Sequence, residues 1–296
     1  MIKKIFYSDK IFDFINVLVM TIILLIIAYP LWFVIIASFS SAMEIHSGNV
    51  ILLPKGFSLD AYIEMFNHQE IFKGYRNSLF YTVVGTTLNL VMTVLCAYPL
   101  SCKDFLPRKV LQYFFMFTMY FGGGLIPTYL IVRKLGLVNS MWTMIVLGAM
   151  SVYNMLIMRS YFMNSIPGEL EEASILDGAN KGQYLVKVVL PLSKPIIAVL
   201  LLYYALGHWN DFYTALVYIS NNELVPLQTV LKRLLLDPRT TNQFQGMSPQ
   251  EVYERSLLFE KLKYSTIIVA SIPMLIIYPF VQKHFVKGVM IGAIKG

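Results

Sequence analysis

SIPGELEEASILDGANKGQYLVKVVLP, residues 165–191, is the stretch on which the reading of this chain turns. Pro167 suits the first turn of a helix, where its missing N–H would have had no intrahelical acceptor. Glu169, Glu171 and Glu172 follow in that turn, where carboxylates meet the positive end of the helix dipole. Asp177-Gly178 then ends the helix, because glycine adopts backbone angles that side chains resist. A second helix is expected from about Ala179 to Val189, presenting Tyr184, Leu185, Val188 and Val189. Pro191 marks the entry to the next apolar segment. Each feature alone suits an ordinary amphipathic surface loop. Their joint order, a short helix, a sharp turn and a second short helix between two apolar runs, is more specific.

Those runs belong to a chain built for a bilayer. Of 296 residues, 57% are apolar and 14% charged, with a mean hydropathy of +0.62. Soluble domains carry about 25% charged residues. A membrane-crossing helix needs about 20 mostly apolar residues. Six stretches qualify, at about 14–38, 77–101, 110–132, 140–163, 195–219 and 264–282. The first, second and sixth are clean. Gly122-Gly123-Gly124 and Pro127 interrupt the third, Asn154 lies in the fourth, and His208, Asn210 and Asp211 lie in the fifth. Barrel strands would be about 9–11 residues with alternating polarity. These runs are longer and do not alternate, and helix is the remaining way for backbone to satisfy itself in hydrocarbon. The fold expected is therefore an all-α membrane protein of six transmembrane helices, with the 165–191 loop between the fourth and fifth. Residues 1–76 form a first span and an external segment, 77–283 a core of five spans, and 284–296 a C-terminal tail.

The first apolar run is too long for the core of a cleaved signal peptide, which has about 7–15 residues, and reads as an uncleaved span. An even number of spans puts both termini on one side. A small excess of Lys and Arg favours that side as the inside. The external segments, about 39–76 and 220–263, hold an amphipathic piece at Leu59–Phe66, helical spacing over Val225–Leu236, and the turn residues Asp237-Pro238.

Other chemistries find no footing. The net charge of +7 is scattered between apolar segments rather than gathered on one face, which argues against nucleic acid. Cys96 and Cys102 fit neither a redox pair nor a zinc site. His46, His68, His208 and His284 are scattered and form no metal motif, and no Gly-Lys-Ser/Thr is present to cradle a nucleotide. There is no internal repeat of the kind a secondary transporter shows.

The segment Glu172-Ala173-Ser174-Ile175-Leu176-Asp177-Gly178-Ala179, with Pro191 downstream, resembles the EAA loop of binding-protein-dependent ABC importer permeases. Ser174 replaces the second alanine of the pattern, a small-for-small change. The likeness extends to Asn77-Ser78, Pro99-Leu100-Ser101 with Asp104-Phe105, Leu135-Gly136-Leu137-Val138-Asn139, Trp209-Asn210-Asp211 and the ending Lys287-Gly288 to Lys295-Gly296. These look like the carbohydrate-uptake branch, which includes the maltose permease subunit, and the match covers about residues 70–296. The resemblance implies a bacterial inner-membrane protein with both termini cytoplasmic. It implies that Glu172, Ala173, Asp177, Gly178, Ala179 and Pro191 belong to a coupling loop seated on an ATPase. It further implies a second homologous permease subunit, two ATPase subunits and an extracellular solute-binding protein. The chain itself would be no enzyme and would bind no cofactor, with ATP and Mg on the partner ATPase. The solute implied is a sugar, with a peptide, amino acid or polyamine as the alternative.

Ionisable groups within a span cost about 2.5–3.5 kcal/mol on insertion scales and face a cavity or a partner. Tyr203, Tyr204, His208, Trp209, Asn210 and Asp211 offer the aromatic faces and hydrogen-bonding groups that a sugar needs. The same tyrosines and tryptophan also suit interface anchors, and Asp211 also suits a structural pair. Tyr120, beside Gly122–Gly124, stands in a stretch that either unwinds to line a pathway or packs closely against another helix. Asn154 has the same two readings.

Overall fold

A computed structural model describes residues 2–67, 69–236 and 248–293. Among them all regular structure is helical. In chain order the helices are α1 (Ile2–Ser38), α2 (Ala42–His46), α3 (Asp60–Asn67), α4 (Gln69–Ser101), α5 (Arg108–Tyr120), α6 (Leu125–Lys134), α7 (Met141–Val146) and α8 (Val152–Ser165). They continue as α9 (Glu169–Leu176), α10 (Lys181–Tyr184), α11 (Leu190–Leu192), α12 (Lys194–Trp209), α13 (Tyr213–Tyr218), α14 (Leu227–Leu236) and α15 (Pro249–Ala293). The expected turn at Asp237-Pro238, together with His68, Arg239, Lys295 and Gly296, lies outside the described residues.

Three helices are long and apolar enough to cross a bilayer: α1 over Lys10–Ser38, α4, and α15 over Phe259–Pro279. They correspond to the first, second and sixth expected spans. The other three are interrupted. At the third, α5 and α6 meet at 113° across the glycines. At the fifth, Lys181–Leu192 and Lys194–Trp209 meet at 81°, and α12 stops at Trp209 instead of running to 219. The continuous fourth helix expected over 140–163 is corrected to two helices, of which α7 has only 6 residues. Gly148 takes φ +81° in the gap. Ser140 Oγ accepts the Trp142 N–H at 3.3 Å and Ser151 Oγ the Asn154 N–H at 3.4 Å, so each half has its own N-cap. The described chain thus has three uninterrupted spans, or up to five if each bent pair is one span.

The chain divides into two compact units. One comprises Met1–His68 and Leu231–Ile272. Its core gathers Ile36, Ala37, Ile45 and Val50, with Phe33 edge-on to Tyr264 at 5.6 Å. Lys261 is only 1% exposed. Its ammonium is satisfied by the Ser58 carbonyl at 2.8 Å and the Ser58 hydroxyl at 2.7 Å, which a buried cation requires. α15 opens with a capping box. Ser248 N–H donates to Glu251 Oε2 at 2.7 Å, and Glu251 N–H to Ser248 Oγ at 3.3 Å. That backbone donor and the Ser248 hydroxyl hold the Glu251 carboxyl below its usual range.

The other unit comprises Gln69–Val230 and Pro273–Gly296. Here α12 and α8 pack on α4. The buried face of α4 carries Ser78, Thr82, Thr86, Asn89, Thr93 and Ala97, three or four residues apart as one helix face demands, with Gly85 beside them. Small and hydroxylated residues let helix backbones approach in a membrane. Gly85 marks the closest approach: a Cβ there would stand 2.4 Å from His208 Nε2. Gly85→Val is therefore expected to destabilise the protein by about 1–3 kcal/mol through overpacking, read as a lower thermal unfolding midpoint. An unchanged midpoint would refute the contact.

Candidate functional site

The 165–191 loop is built as two helices around one glycine. α9 follows its N-cap residue Gly168 and carries Glu169, Glu171 and Glu172 in its first turn. Asp177 is its C-cap residue, and Gly178 follows with φ +76°. Gly178 N–H donates to the Ile175 carbonyl at 3.0 Å and Ala179 N–H to the Ser174 carbonyl at 2.9 Å. This pair of bonds is a Schellman motif, which satisfies the last carbonyls of a helix and needs a left-handed residue. The second helix begins at Lys181, two residues later than its expected start at Ala179. Asn180 is its cap: Asn180 Oδ1 accepts the Gln183 N–H at 2.8 Å and Gln183 Oε1 accepts the Asn180 N–H at 3.0 Å. α10 then widens into a π-turn over Leu185–Val189 before α11, which places Pro191 within α11.

One face of the loop is anchored. Tyr184 and Val189 are buried with Ala97, Tyr98, Met155 and Phe162 in one hydrophobic core cluster. Tyr98 Oη donates to the Lys181 carbonyl at 3.1 Å, and the Lys181 ammonium pairs with Glu171 and, at 3.6 Å, with Asp104. The other face is open. Glu172, Ala173, Asp177, Gly178 and Pro191 are exposed and Ala179 is half-buried. Leu170 and Ile175 are also exposed, and Leu176 is 88% exposed.

The polar cluster of the fifth span is only partly gathered. Trp209 is buried, its ring edge-on to Tyr75 at 5.5 Å. Tyr204 is buried with its hydroxyl 2.7 Å from Thr93 Oγ1, and it accepts the Ser151 N–H at 3.2 Å. His208 Nε2 lies 2.7 Å from Asn89 Oδ1. Asn210 closes α12, its amide donating to the Leu206 carbonyl at 3.0 Å. Asp211 Oδ1 accepts the N–H of Thr214, in the first turn of α13, at 3.0 Å. Asn154 is buried in α8. Tyr203 and Tyr120 stand exposed on separate helices.

Sequence reasoning missed three linkers. Asn89 Nδ2 donates to the Gly148 carbonyl at 2.8 Å, joining α4 to the gap before α8. An amide alone in an apolar run was the available signal. Asn139, at φ 61°, accepts the Ser220 and Asn221 N–H groups on Oδ1 at 3.1 and 2.8 Å. Its own N–H donates to the Tyr218 carbonyl at 2.8 Å. The third is the Lys181 ion pair with Glu171 and Asp104, which composition does not reveal. Among the described residues no three His, Cys, Asp or Glu side chains converge as a metal site would require.

Residues 5–291 match the family described as binding-protein-dependent transport system inner membrane component. The polygalacturonan/rhamnogalacturonan transport system permease protein YtcP of Bacillus subtilis (strain 168) is 38% identical over 98% of this chain and 100% of its own length. Protein LplC of the same organism is 38% identical over 98% of this chain and 96% of its own. A solved bacterial ABC transporter involved in the import of the acidic polysaccharide alginate contains a chain 35% identical to this one. The two superpose with a TM-score of 0.87 over 94% of this chain and 98% of that one.

Proposed function

The chain belongs to the family of binding-protein-dependent transport system inner membrane components, and from that premise we propose that it is the permease subunit of an ATP-driven importer that carries an oligosaccharide into a bacterial cell. The family is one of transport permeases, not enzymes. The sugar assignment is supported by relatives that handle polygalacturonan, rhamnogalacturonan and alginate. In this reading the chain crosses the inner membrane six times, counting the interrupted helices as spans, with both termini in the cytoplasm. A second permease subunit completes the pathway, two ATPase subunits bind ATP and Mg, and an external binding protein delivers the solute. The apolar girth of α1, exposed from Phe14 to Trp32, suits lipid.

The observation that carries the reading is the 165–191 loop. It holds apolar side chains open to a partner on one face and is rooted in the core on the other. An ATPase that moves α9 moves a rigid turn, since the Schellman bonds and the Asn180 capping box fix its geometry on both sides of Gly178. The motion passes through α10 and α11 to the 81° joint before α12, and α12 packs on α4. Alternating access follows if the loop takes two positions and ATPase closure favours one, because a partner shifts an equilibrium only through differential binding.

Uptake of labelled oligogalacturonides, galactooligosaccharides and maltodextrins in a strain lacking this chain tests the proposal. At least one uptake is expected to fall to background and to return with the gene. Unchanged uptake of the whole panel counts against a sugar. Uptake that persists after ATP depletion counts against an ATP-driven machine.

A further inference from the structure

Three elements meet at Lys181, the first residue of α10. Its ammonium pairs with Glu171 of α9 and, at 3.6 Å, with Asp104 of the linker at 102–107 between α4 and α5. Its carbonyl accepts the Tyr98 hydroxyl of α4 at 3.1 Å. Among the described residues, the Asp104 pair is the one ion pair that joins the 165–191 loop to another part of the chain. The Glu171 bond also raises the pKa of the Lys181 ammonium, so the cation is present throughout the neutral range.

The linker it reaches is not slack. Arg108, which opens α5, donates from Nη1 to the Cys102 carbonyl at 3.2 Å and from its N–H to the Phe105 carbonyl at 3.1 Å. Arg159 of α8 donates from Nε to the Leu100 carbonyl at 2.8 Å, at the end of α4. A displacement of Asp104 therefore reaches the ends of α4, α5 and α8 together. Packing holds the loop elsewhere. Tyr184 and Val189 root its second half, while Ser174 is the one buried residue of α9. Between the loop and the linker lies an open cavity of about 290 Å³, lined by Tyr98, Pro99, Cys102, Asp104, Phe105 and Lys181. Coupling between elements travels through touching side chains or through hydrogen bonds and ion pairs. Across this cavity the Lys181 pairs supply it.

We propose that Lys181 is a positioning residue for coupling: it clamps α9 to the 102–107 linker, so that an ATPase push on α9 reaches α4, α5 and α8 as well as α12. The proposal rests on the permease reading and adds a second outlet for the motion of the loop. Lys181 acts through Glu171 and Asp104 and not on the solute. Partly exposed ion pairs contribute little to stability, so loss of the clamp shows in coupling and not in folding.

Sugar imported per ATP hydrolysed tests it in the assembled transporter, reconstituted in vesicles with its binding protein. Labelled oligogalacturonides, galactooligosaccharides and maltodextrins are supplied together. Lys181→Met, which keeps the reach and removes the charge, is expected to lower the ratio about threefold or more, the scale of two partly exposed ion pairs. Asp104→Asn breaks only the arm to the linker, on a side chain 84% exposed whose loss does not threaten folding. It should lower the ratio about twofold. Lys181→Arg keeps the cation and should keep the parent ratio. A parent ratio in Lys181→Met, with import and hydrolysis unchanged or reduced together, overturns the clamp. So does a loss in Lys181→Met that Asp104→Asn does not share, or one that Lys181→Arg shares in full. A parent transporter that imports none of the three sugars overturns the permease reading instead, and the clamp with it.

Discussion

Replacing Gly178 with valine is expected to stop ATP-driven uptake while leaving the protein inserted in the membrane. Gly178 stands at φ +76°, where an L-residue costs about 1–2 kcal/mol and a β-branched one is a genuine outlier. No atom lies within 4 Å of the position a Cβ would take, so within this chain the penalty is backbone strain and not crowding. Relief of the strain means leaving the left-handed region. The bonds from Gly178 to Ile175 and from Ala179 to Ser174 then break, and α9 loses its fixed angle to α10. Each 1.4 kcal/mol against the docked geometry lowers its population about tenfold. A graded series follows. Gly178→Asn should come close to the parent, because asparagine tolerates this region; Gly178→Ala should lose about tenfold, and Gly178→Val should fall to background. Uptake and ATP hydrolysis in reconstituted vesicles check the series. Crowding against an ATPase would instead make asparagine as damaging as valine, and normal uptake by Gly178→Val would remove the coupling role of this turn.

The contrast between spans shows what apolar patterning reports. α1, α4 and α15 were readable because continuous apolar length is what a bilayer selects. The same signal was silent about the gap at 147–151. Leu147-Gly148-Ala149-Met150 is as apolar as the helices beside it, and hydropathy averages over a turn. The clue lay in Ser140 and Ser151, each the N-cap of its own short helix. In the 165–191 loop, the acidic first turn and the glycine break followed from residue chemistry, whereas the inward anchoring of Tyr184 and Val189 comes from the packing. The start of the second helix is set by the Asn180-to-Gln183 capping box, whose spacing is visible in sequence but lies one residue past the glycine break from which the helix was expected to begin. The π-turn had no sequence signal. Around Asp211, residue type suggested a shared polar site, but Asn210 and Asp211 serve helix ends and Tyr204 hydrogen-bonds Thr93 and Ser151. Composition names hydrogen-bonding groups; only the packing says which are already occupied.

Asn89→Leu is expected to destabilise the assembled transporter by about 2 kcal/mol, about half of it from one stranded carbonyl. Asn89 is 2% exposed and holds two partners, the Gly148 carbonyl at 2.8 Å and His208 Nε2 at 2.7 Å. Leucine keeps the branching at Cγ and removes both bonds. Interhelical hydrogen bonds in membranes average only about 0.6 kcal/mol, so losing two of them explains about 1 kcal/mol. The rest comes from Gly148, an exposed residue of the helix gap whose part-buried carbonyl would lose its protein partner, at about 1 kcal/mol, the low end for a stranded group. His208→Leu separates the two terms. It removes the histidine contact but leaves Asn89 on Gly148, so it should cost about 0.6 kcal/mol. The double variant should cost less than the sum of the singles, because no histidine is left facing an apolar neighbour. Thermal midpoints of the purified complex read all three. Equal losses from the two single variants would show that the histidine contact, and not the gap carbonyl, carries the stability. Uptake should fall further than stability alone requires in Asn89→Leu. Asn89 ties the start of α8 to α4, while His208 ties α12 to the same point, and α12 is the helix that leads from the loop. A transporter that moves α12 needs α4 and α8 to stay fixed relative to each other while it does so.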